Sequence, residues 1–434
     1  MNLFTLVMET LKNSYDSIGR PRTVLAGLSG GADSVALLLS LCDLRKECEM
    51  EIFAVHVNHG LREEAIQDEA FCQSLCEKLR VSFIAEKAQV CRTGSLEAAA
   101  RTARYAAFEK AMQASAADVL ALGHHLDDQA ETVLMHLMYG TGPSGLGGMR
   151  EKNSHVWRPF LQLRRKQLQA YVTAKGYDWR EDESNSDITF TRNRIRAKVL
   201  PAMEECIAST VNAIGRASAI LQTESDFLQL LADDWLSKYA AGGAYSFLLL
   251  QPLKNEHLAM KRRILRRYCE KLQISIDYAQ TERLCNLLDR EAGSTENLSN
   301  GWHALRSKTR LHFIPGDTPA VHSLGELFVD DAIPNATEGY QQQLPVCQLH
   351  GLVLRTRKTG DYIQPFGMQG TKPLKEYMID RGIDQPFRDG WPLVCRDHEV
   401  LWVIGVGASE KLRVMPNDTE MKQLYYSGRL PDSI

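Results

Sequence analysis

Apolar and polar positions alternate in blocks between residues 22 and 140. Val24-Leu25-Ala26-Gly27-Leu28 is a short apolar run that predicts a strand, and it passes through Ser29-Gly30-Gly31 into Ala32–Leu39, which predicts a helix opening on small polar residues. Glu51–Asn58 predicts a second strand, running into His59-Gly60, and a helix follows from about Glu63 to Leu79. Val81–Ala85 is a third strand, the alanine-rich Leu96–Met112 is helical by propensity, Ala117–Gly123 is a fourth strand, and Asp127–Tyr139 is a helix. Residues 1–22 read as an amphipathic helix and a loop ending at Pro21. Strands alternating with helices predict an α/β fold with a parallel sheet covered on both faces, in which ligands bind beyond the carboxyl ends of the strands. Ser29-Gly30-Gly31, His56-Val57-Asn58-His59 and His124-His125 all fall at that edge.

From about Leu200 to Arg290 the strand patterns thin and helical ones dominate. One of these helices carries Lys261-Arg262-Arg263-Ile264-Leu265-Arg266-Arg267, which suits a solvated face and a nucleic-acid surface equally well. Asp317–Pro345 is dotted with proline and glycine and reads as linker. The tail from about Gln342 is mixed: Leu374–Arg381 looks helical, and Leu393–Cys395 and Val400–Ile404 flank the polar turn Arg396-Asp397-His398-Glu399 as in a hairpin. The expected division is 1–215, 216–320, a linker at 321–341, and 342–434.

Composition narrows the class. A chain of 434 residues is expected to form about two to four domains. Its net charge of −3 announces no nucleic-acid binder, so any such function rests on local basic patches. The ten cysteines contain no Cys-x-x-Cys, and Cys72 with Cys76, one helical turn apart, read as buried thiols rather than metal ligands. The start, Met1–Glu9, is not that of a signal peptide, and no apolar stretch is long enough to span a bilayer, so the expectation is a cytoplasmic protein without a membrane partner.

The chemistry concentrates in few places. A strand feeding a helix through Ser29-Gly30-Gly31-Ala32-Asp33-Ser34 offers free N–H groups, a partial positive charge and two hydroxyls to an anion. Asp33 beside such an anion makes sense with Mg²⁺ between them. The stretch is neither a Walker A loop nor a dinucleotide fingerprint, and alone it reads equally well as an ordinary strand–turn–helix connection. His124-His125-Leu126-Asp127-Asp128-Gln129-Ala130-Glu131-Thr132 packs two histidines, three acids and a threonine into nine residues, with Asp128 and Glu131 on one helical face. Arg101 and Arg104 share a face of the preceding helix, where Glu97–Arg101 forms an i,i+4 pair. Between Arg158 and Lys198, acidic and basic blocks interleave with Trp179 and Phe190, which suits nucleotide recognition by phosphate contacts and stacking.

Together these motifs carry a resemblance. Ser29–Ser34 is similar to the pyrophosphate loop (PP-loop) of N-type ATP pyrophosphatases, which cleave ATP to AMP and pyrophosphate. His56-Val57-Asn58-His59-Gly60-Leu61-Arg62, His124–Thr132, Arg158-Pro159, Glu181-Asp182-x-Ser184-Asn185 and Arg192-Asn193-x-x-Arg196 resemble, in order and spacing, the tRNA(Ile)-lysidine synthetase family. The tail, with Gly360-Asp361, Gly367-Met368 and Lys372–Lys375, resembles that family's C-terminal domain. Phe160 and Phe190 stand where the family pattern suggests Leu and Tyr.

The resemblance implies a Rossmann-like PP-loop ATPase domain at 1–215, a helical, tRNA-contacting domain at 216–320, and a small α+β, tRNA-binding domain at 342–434. It implies adenylation of the C2 carbonyl oxygen of the wobble cytidine of an isoleucine tRNA with a CAU anticodon. Attack by the ε-amine of free L-lysine then expels AMP, a carbon–nitrogen ligation that shifts codon reading from AUG to AUA. In this reading Ser29, Gly30, Gly31, Ala32, Asp33, Ser34 and His56 bind ATP, with Asp33 on Mg²⁺. Asp128 and Glu131 are the candidates for base and orienting carboxylate. His124 assists proton or phosphate handling, and Arg104 and Arg196 neutralise the α-phosphate or the departing AMP. The tail cations Arg355, Arg357, Lys358, Lys372 and Lys375 contact the tRNA backbone, and a second copy of the chain is left open as a partner. A tRNA thiolase of the same ATP-pyrophosphatase class and a non-catalytic tRNA binder are the rivals. Absence of Cys-x-x-Cys speaks against the first and the acid–histidine cluster against the second.

Overall fold

A computed structural model describes residues 2–58, 65–87, 96–180, 191–241, 246–316, 324–329, 340–415, 420–428 and 430. The expectations placed on His59–Arg62, Glu181–Asn185, Phe190, most of 321–341 and the side chain of Glu97 lie outside the described residues. The chain forms two compact units, 1–227 and 228–434.

The first unit follows the alternation read from the sequence. Its elements are α1 (Leu3–Ser17), β1 (Thr23–Gly27), α2 (Ala32–Leu44), β2 (Glu51–Asn58), α3 (Ala65–Leu79), β3 (Ser82–Lys87), α4 (Leu96–Ser115), β4 (Val119–Ala121) and α5 (Leu126–Met138). There follow α6 (Pro143–Leu146), β5 (Lys152–Asn153), β6 (Val156–Trp157), α7 (Arg165–Ala174), α8 (Thr191–Arg194), a π-helical turn at Ile195–Val199, α9 (Leu200–Cys206) and α10 (Thr210–Tyr239), within which the boundary between the units falls. The sheet order is β3-β2-β1-β4-β6-β5, and every pair is parallel except β5 with β6. Strand order reverses between β1 and β4, so a crevice opens there beyond the strands' carboxyl ends.

Both faces of the sheet are covered, which explains the unbroken apolar runs. On one side Val7 and Leu11 of α1, Leu37 and Leu41 of α2, and Leu168 and Tyr171 of α7 are buried together. On the other, Phe108 and Ala111 of α4 meet Leu25, Val55 and Leu120. Burial of each such leucine contributes about 1.5–3 kcal/mol. Cys72 and Cys76 are fully buried in α3, and burial pushes both thiols up to about 12, as expected of inert core residues.

In the second unit, helices Leu250–Asn255, Leu258–Lys271 and Tyr278–Leu287 accompany a five-stranded antiparallel sheet built from 240–241, 246–249, 310–314, 303–306 and 295–297. The helices were legible; strands of two to five residues show too little period to be read. Of the basic helix, Arg262 pairs with Glu282 at 2.6 Å and Arg267 with Asp233 at 3.0 Å. The C-terminal part holds a sheet with the expected hairpin, 393–396 against 399–403, the helix Leu374–Asp380, and a three-stranded antiparallel sheet of 327–329, 421–426 and 340–345. These two sheets share a core in which Val394, Leu401 and Trp402 meet Leu344, Leu424 and Tyr426.

Candidate active site

The loop between β1 and α2 is shaped to leave a helix end open. Gly31 caps α2 with no side-chain hydrogen bond, so no side chain competes for the first N–H groups. Gly30 sits at φ +88°, a conformation that favours glycine. The hydroxyls turn inward on the loop: Ser34 Oγ donates to the Gly31 carbonyl (2.9 Å) and stands 3.1 Å from Ser29 Oγ. His56 supports the loop from β2, its Nδ1 bonded to the Leu28 carbonyl at 2.9 Å. The Arg180 N–H holds the Gly30 carbonyl (2.9 Å). The end of β4 comes so close that a Cβ on Gly123 would stand 2.7 Å from the Asp33 carbonyl oxygen.

One turn of α5 supplies the acids. His125 caps this helix: its Nδ1 accepts the Asp128 N–H (3.2 Å) while the Asp128 carboxylate accepts the His125 N–H (3.1 Å). That leaves the His125 Nε2–H between Asp33 and Asp128, with the nitrogen 3.4 Å from an oxygen of each. Burial disfavours the charged ring, but Asp128, Asp33 and Asp127 outweigh it and raise its proton affinity; full protonation would forfeit the cap at Nδ1.

Asp128 and Glu131 are gathered by two arginines from the segment where α8 passes into the π turn. Arg192 Nε lies 2.7 Å from Glu131 and its Nη2 3.0 Å from Asp128. Arg196 Nε lies 2.6 Å from Glu131 and its Nη2 3.2 Å from Asp128. Glu131 is 0% exposed. Burial would raise the Asp128 carboxyl, but His125 and Arg192 hold it below the usual carboxylate range. Asp127 faces away and ties α7, accepting from Arg164 Nε (3.0 Å) and the Arg165 N–H (2.8 Å). Gln129 is also structural, its amide bonded to Gly147, Met149 and Ser218.

His124 meets Arg158, which follows β6: Arg158 Nε donates to His124 Nδ1 at 3.3 Å, leaving the ring proton on Nε2. Burial, helped by the Arg158, Arg192 and Arg104 charges and opposed by Asp128, pushes His124 from 6.5 down to about 3. The imidazole is therefore a neutral donor at physiological pH. Between about 3 and 6.5 the unfolded chain binds a proton that the folded chain refuses, so stability falls as pH drops through that window. His124→Gln is expected to flatten the acid-side fall of the thermal midpoint; an unaltered pH profile would refute this account. Arg104 has no ion-pair partner among the described residues, and burial with the charges of Arg101 and Arg192 lowers its proton affinity.

The structure thus places Ser29–Ser34, Asp33, Asp128, Glu131 and Arg196 in one connected network, with His124 and Arg104 in its field and His56 beneath the loop. The sequence reading did not weight His125, Arg192 or Arg158 individually. Arg192 was findable, since it precedes Arg196 by one helical turn, the spacing that lets both reach one carboxylate.

The chain matches the PP-loop domain model over residues 5–203 and the TilS substrate C-terminal domain model over residues 352–424. It is 31% identical to the tRNA(Ile)-lysidine synthase of Caldanaerobacter subterraneus subsp. tengcongensis over 97% of each chain. It is 27% identical to that of Clostridium tetani over 98% of each, and 30% identical to that of Geobacter sulfurreducens over 94% of this chain and 93% of that one. Motifs, fold and near-full-length relatives agree: the chain belongs to the tRNA(Ile)-lysidine synthase family.

Proposed function

We propose that the chain uses ATP to adenylate the C2 carbonyl oxygen of the wobble cytidine in the CAU anticodon of an isoleucine tRNA, releasing pyrophosphate, and then joins the ε-amine of free L-lysine to C2, expelling that oxygen with AMP. The observation that carries this reading is the meeting, at one sheet edge, of an open helix end with a carboxylate–arginine cluster, in a chain whose relatives span its whole length.

The residues divide the work by charge. The loop Ser29–Ser34 and the α2 N-terminus hold the departing pyrophosphate. Asp33 Oδ1 is buried with no hydrogen-bond partner among the described residues, which fits a hard cation. Asp33 would hold Mg²⁺ together with nucleotide oxygens, and the bound ion supplies positive charge against the phosphates. Arg104, Arg192 and Arg196 face the α-phosphate and the leaving AMP. His124, with Nδ1 occupied by Arg158, gives its Nε2–H to a phosphate oxygen rather than taking a proton.

Lysine must lose a proton before it attacks, at about 4–5 kcal/mol for a free amine at pH 7. Asp128, ionised and still 8% exposed, attracts and orients the ammonium, and its low proton affinity leaves the proton to pass on to solvent; Glu131, sealed beneath the two guanidinium groups, orients them.

Among the tail cations, Arg355, Arg357 and Lys372 are paired with Asp361, Asp389 and Asp380. Lys358 and Lys375 have no ion-pair partner among the described residues and are the ones left for the tRNA backbone. No helix among the described residues is long and apolar enough to cross a membrane, and we place the enzyme in the cytoplasm with its tRNA.

Incubation with labelled lysine, ATP and a CAU-anticodon isoleucine tRNA should leave label on the tRNA with AMP and pyrophosphate formed in equal amounts. Pyrophosphate release that never depends on tRNA would sink the reading.

A further inference from the structure

The C-terminal hairpin turn carries a histidine that the site above does not use. His398 stands in the turn Arg396-Asp397-His398-Glu399, with its side chain 60% exposed. Its Nδ1 is nevertheless fixed, 3.1 Å from Oδ1 of Asp361, a carboxylate whose side chain is 1% exposed. Asp361 is itself held from three other directions: Arg355 Nη1 at 2.7 Å, Arg355 Nη2 at 2.9 Å and the Lys358 N–H at 2.7 Å. Burial would raise this carboxyl, but the Arg355 guanidinium and the Lys358 N–H hold it below the usual range, so it stays ionised. Arg355 also donates to the Asp397 carbonyl, which steadies a residue lying at φ +51°. An exposed ring is thus oriented by a buried ionised acid, and only its Nε2 is left to face outward.

Resting on the reading that the chain acts on tRNA, we propose that His398 is a phosphate contact for that tRNA, and that Asp361 and Arg355 are positioning residues that aim it. In the proposed complex the ring donates from Nδ1 to Asp361 and from Nε2 to an RNA phosphate oxygen. Arg355 is spent on Asp361, so this corner meets RNA with the outward edge of His398 and with Lys358 beside the turn.

The test uses the full-length protein and lysidine-forming turnover at fixed ATP and lysine. His398→Ala should raise the KM for tRNA about tenfold at unchanged kcat and unchanged KM for ATP, and should reduce the slope of log affinity against log salt by about one. His398→Arg, which puts a cation at the same place, should recover most of the affinity, whereas His398→Asn should not. An unchanged tRNA KM in His398→Ala, with a thermal midpoint equal to the wild type, overturns the proposal and leaves the lysidine reading intact. Equal recovery by the asparagine and arginine variants also overturns it, since a neutral side chain would then suffice. Wild-type protein that forms no tRNA-bound lysine overturns the reading itself and the proposal with it.

Discussion

Asp33→Asn should lower tRNA-dependent pyrophosphate release by about a hundredfold or more while leaving the thermal midpoint nearly unchanged. Oδ1 of Asp33 is buried without a hydrogen-bond partner among the described residues, and its other oxygen has only the His125 edge at 3.4 Å. The Asp33 side chain is 27% exposed and lies in the first turn of α2, so asparagine, which removes the charge at little change in shape, leaves the fold nearly as stable. In the proposed reaction the same carboxylate would hold the cation that offsets negative charge on the phosphate oxygens, and loss of one such electrostatic group is worth about 10²–10³ in rate. A stable, inactive variant is therefore expected. Release of pyrophosphate at the wild-type rate by a well-folded Asp33→Asn protein would falsify the assignment.

The second large effect has a different stability signature. Glu131→Gln should lower both the thermal midpoint and turnover. Glu131 is fully buried and receives Arg192 and Arg196 at 2.7 and 2.6 Å. Losing its charge removes one of the two carboxylates that the guanidinium groups share, the other being Asp128. Breaking a buried pair costs about 3–5 kcal/mol. The arginine side chains are about a quarter exposed, at 27% and 26%, which argues for the lower end. For a unit of this size about 3 kcal/mol lowers the midpoint by about 6–12 °C in calorimetry. Arg196→Gln added to Glu131→Gln should cost less than the sum of the two, because they share one network. Strict additivity would show that the residues act independently.

How much of this was legible can be argued residue by residue. The parallel sheet was readable because β1, β2 and β4 are short apolar runs separated by helix-length segments, and α2 has eleven buried positions out of thirteen. The loop at Ser29–Ser34 was readable because glycine and small hydroxyl residues at a strand–helix junction have few uses. What the neighbours of Asp128 and Glu131 would be was not readable. Their partners lie 61 to 68 residues away, and no local pattern reports a pairing across that distance. The sequence offers Asp128 and Glu131 as base and orienting carboxylate; in the fold both are counter-charges to Arg192 and Arg196, and Asp128 keeps an edge open. His125 looked like a companion of His124, yet a single hydrogen bond separates their characters: His125 uses Nδ1 to cap a helix, and His124 uses it to receive Arg158. The tail cations were read as one basic surface, but Arg355 turns inward to a buried carboxylate, a choice that depends on the burial of Asp361 and not on composition.

The separation of acids from arginines also has a consequence for biosynthesis. The chain emerges from the ribosome amino end first, so Asp128 and Glu131 appear some 61 residues before the nearest arginine that will neutralise them. At roughly 5–20 residues per second that is an interval of about 3–12 seconds. During it the sheet from β1 to β4 can collapse, but α5 cannot bury Glu131 without stranding a charge. The nascent chain therefore holds this face of α5 in water until the α8 segment arrives, and the corner closes only after the sheet beneath it, with α9 and α10 still to follow.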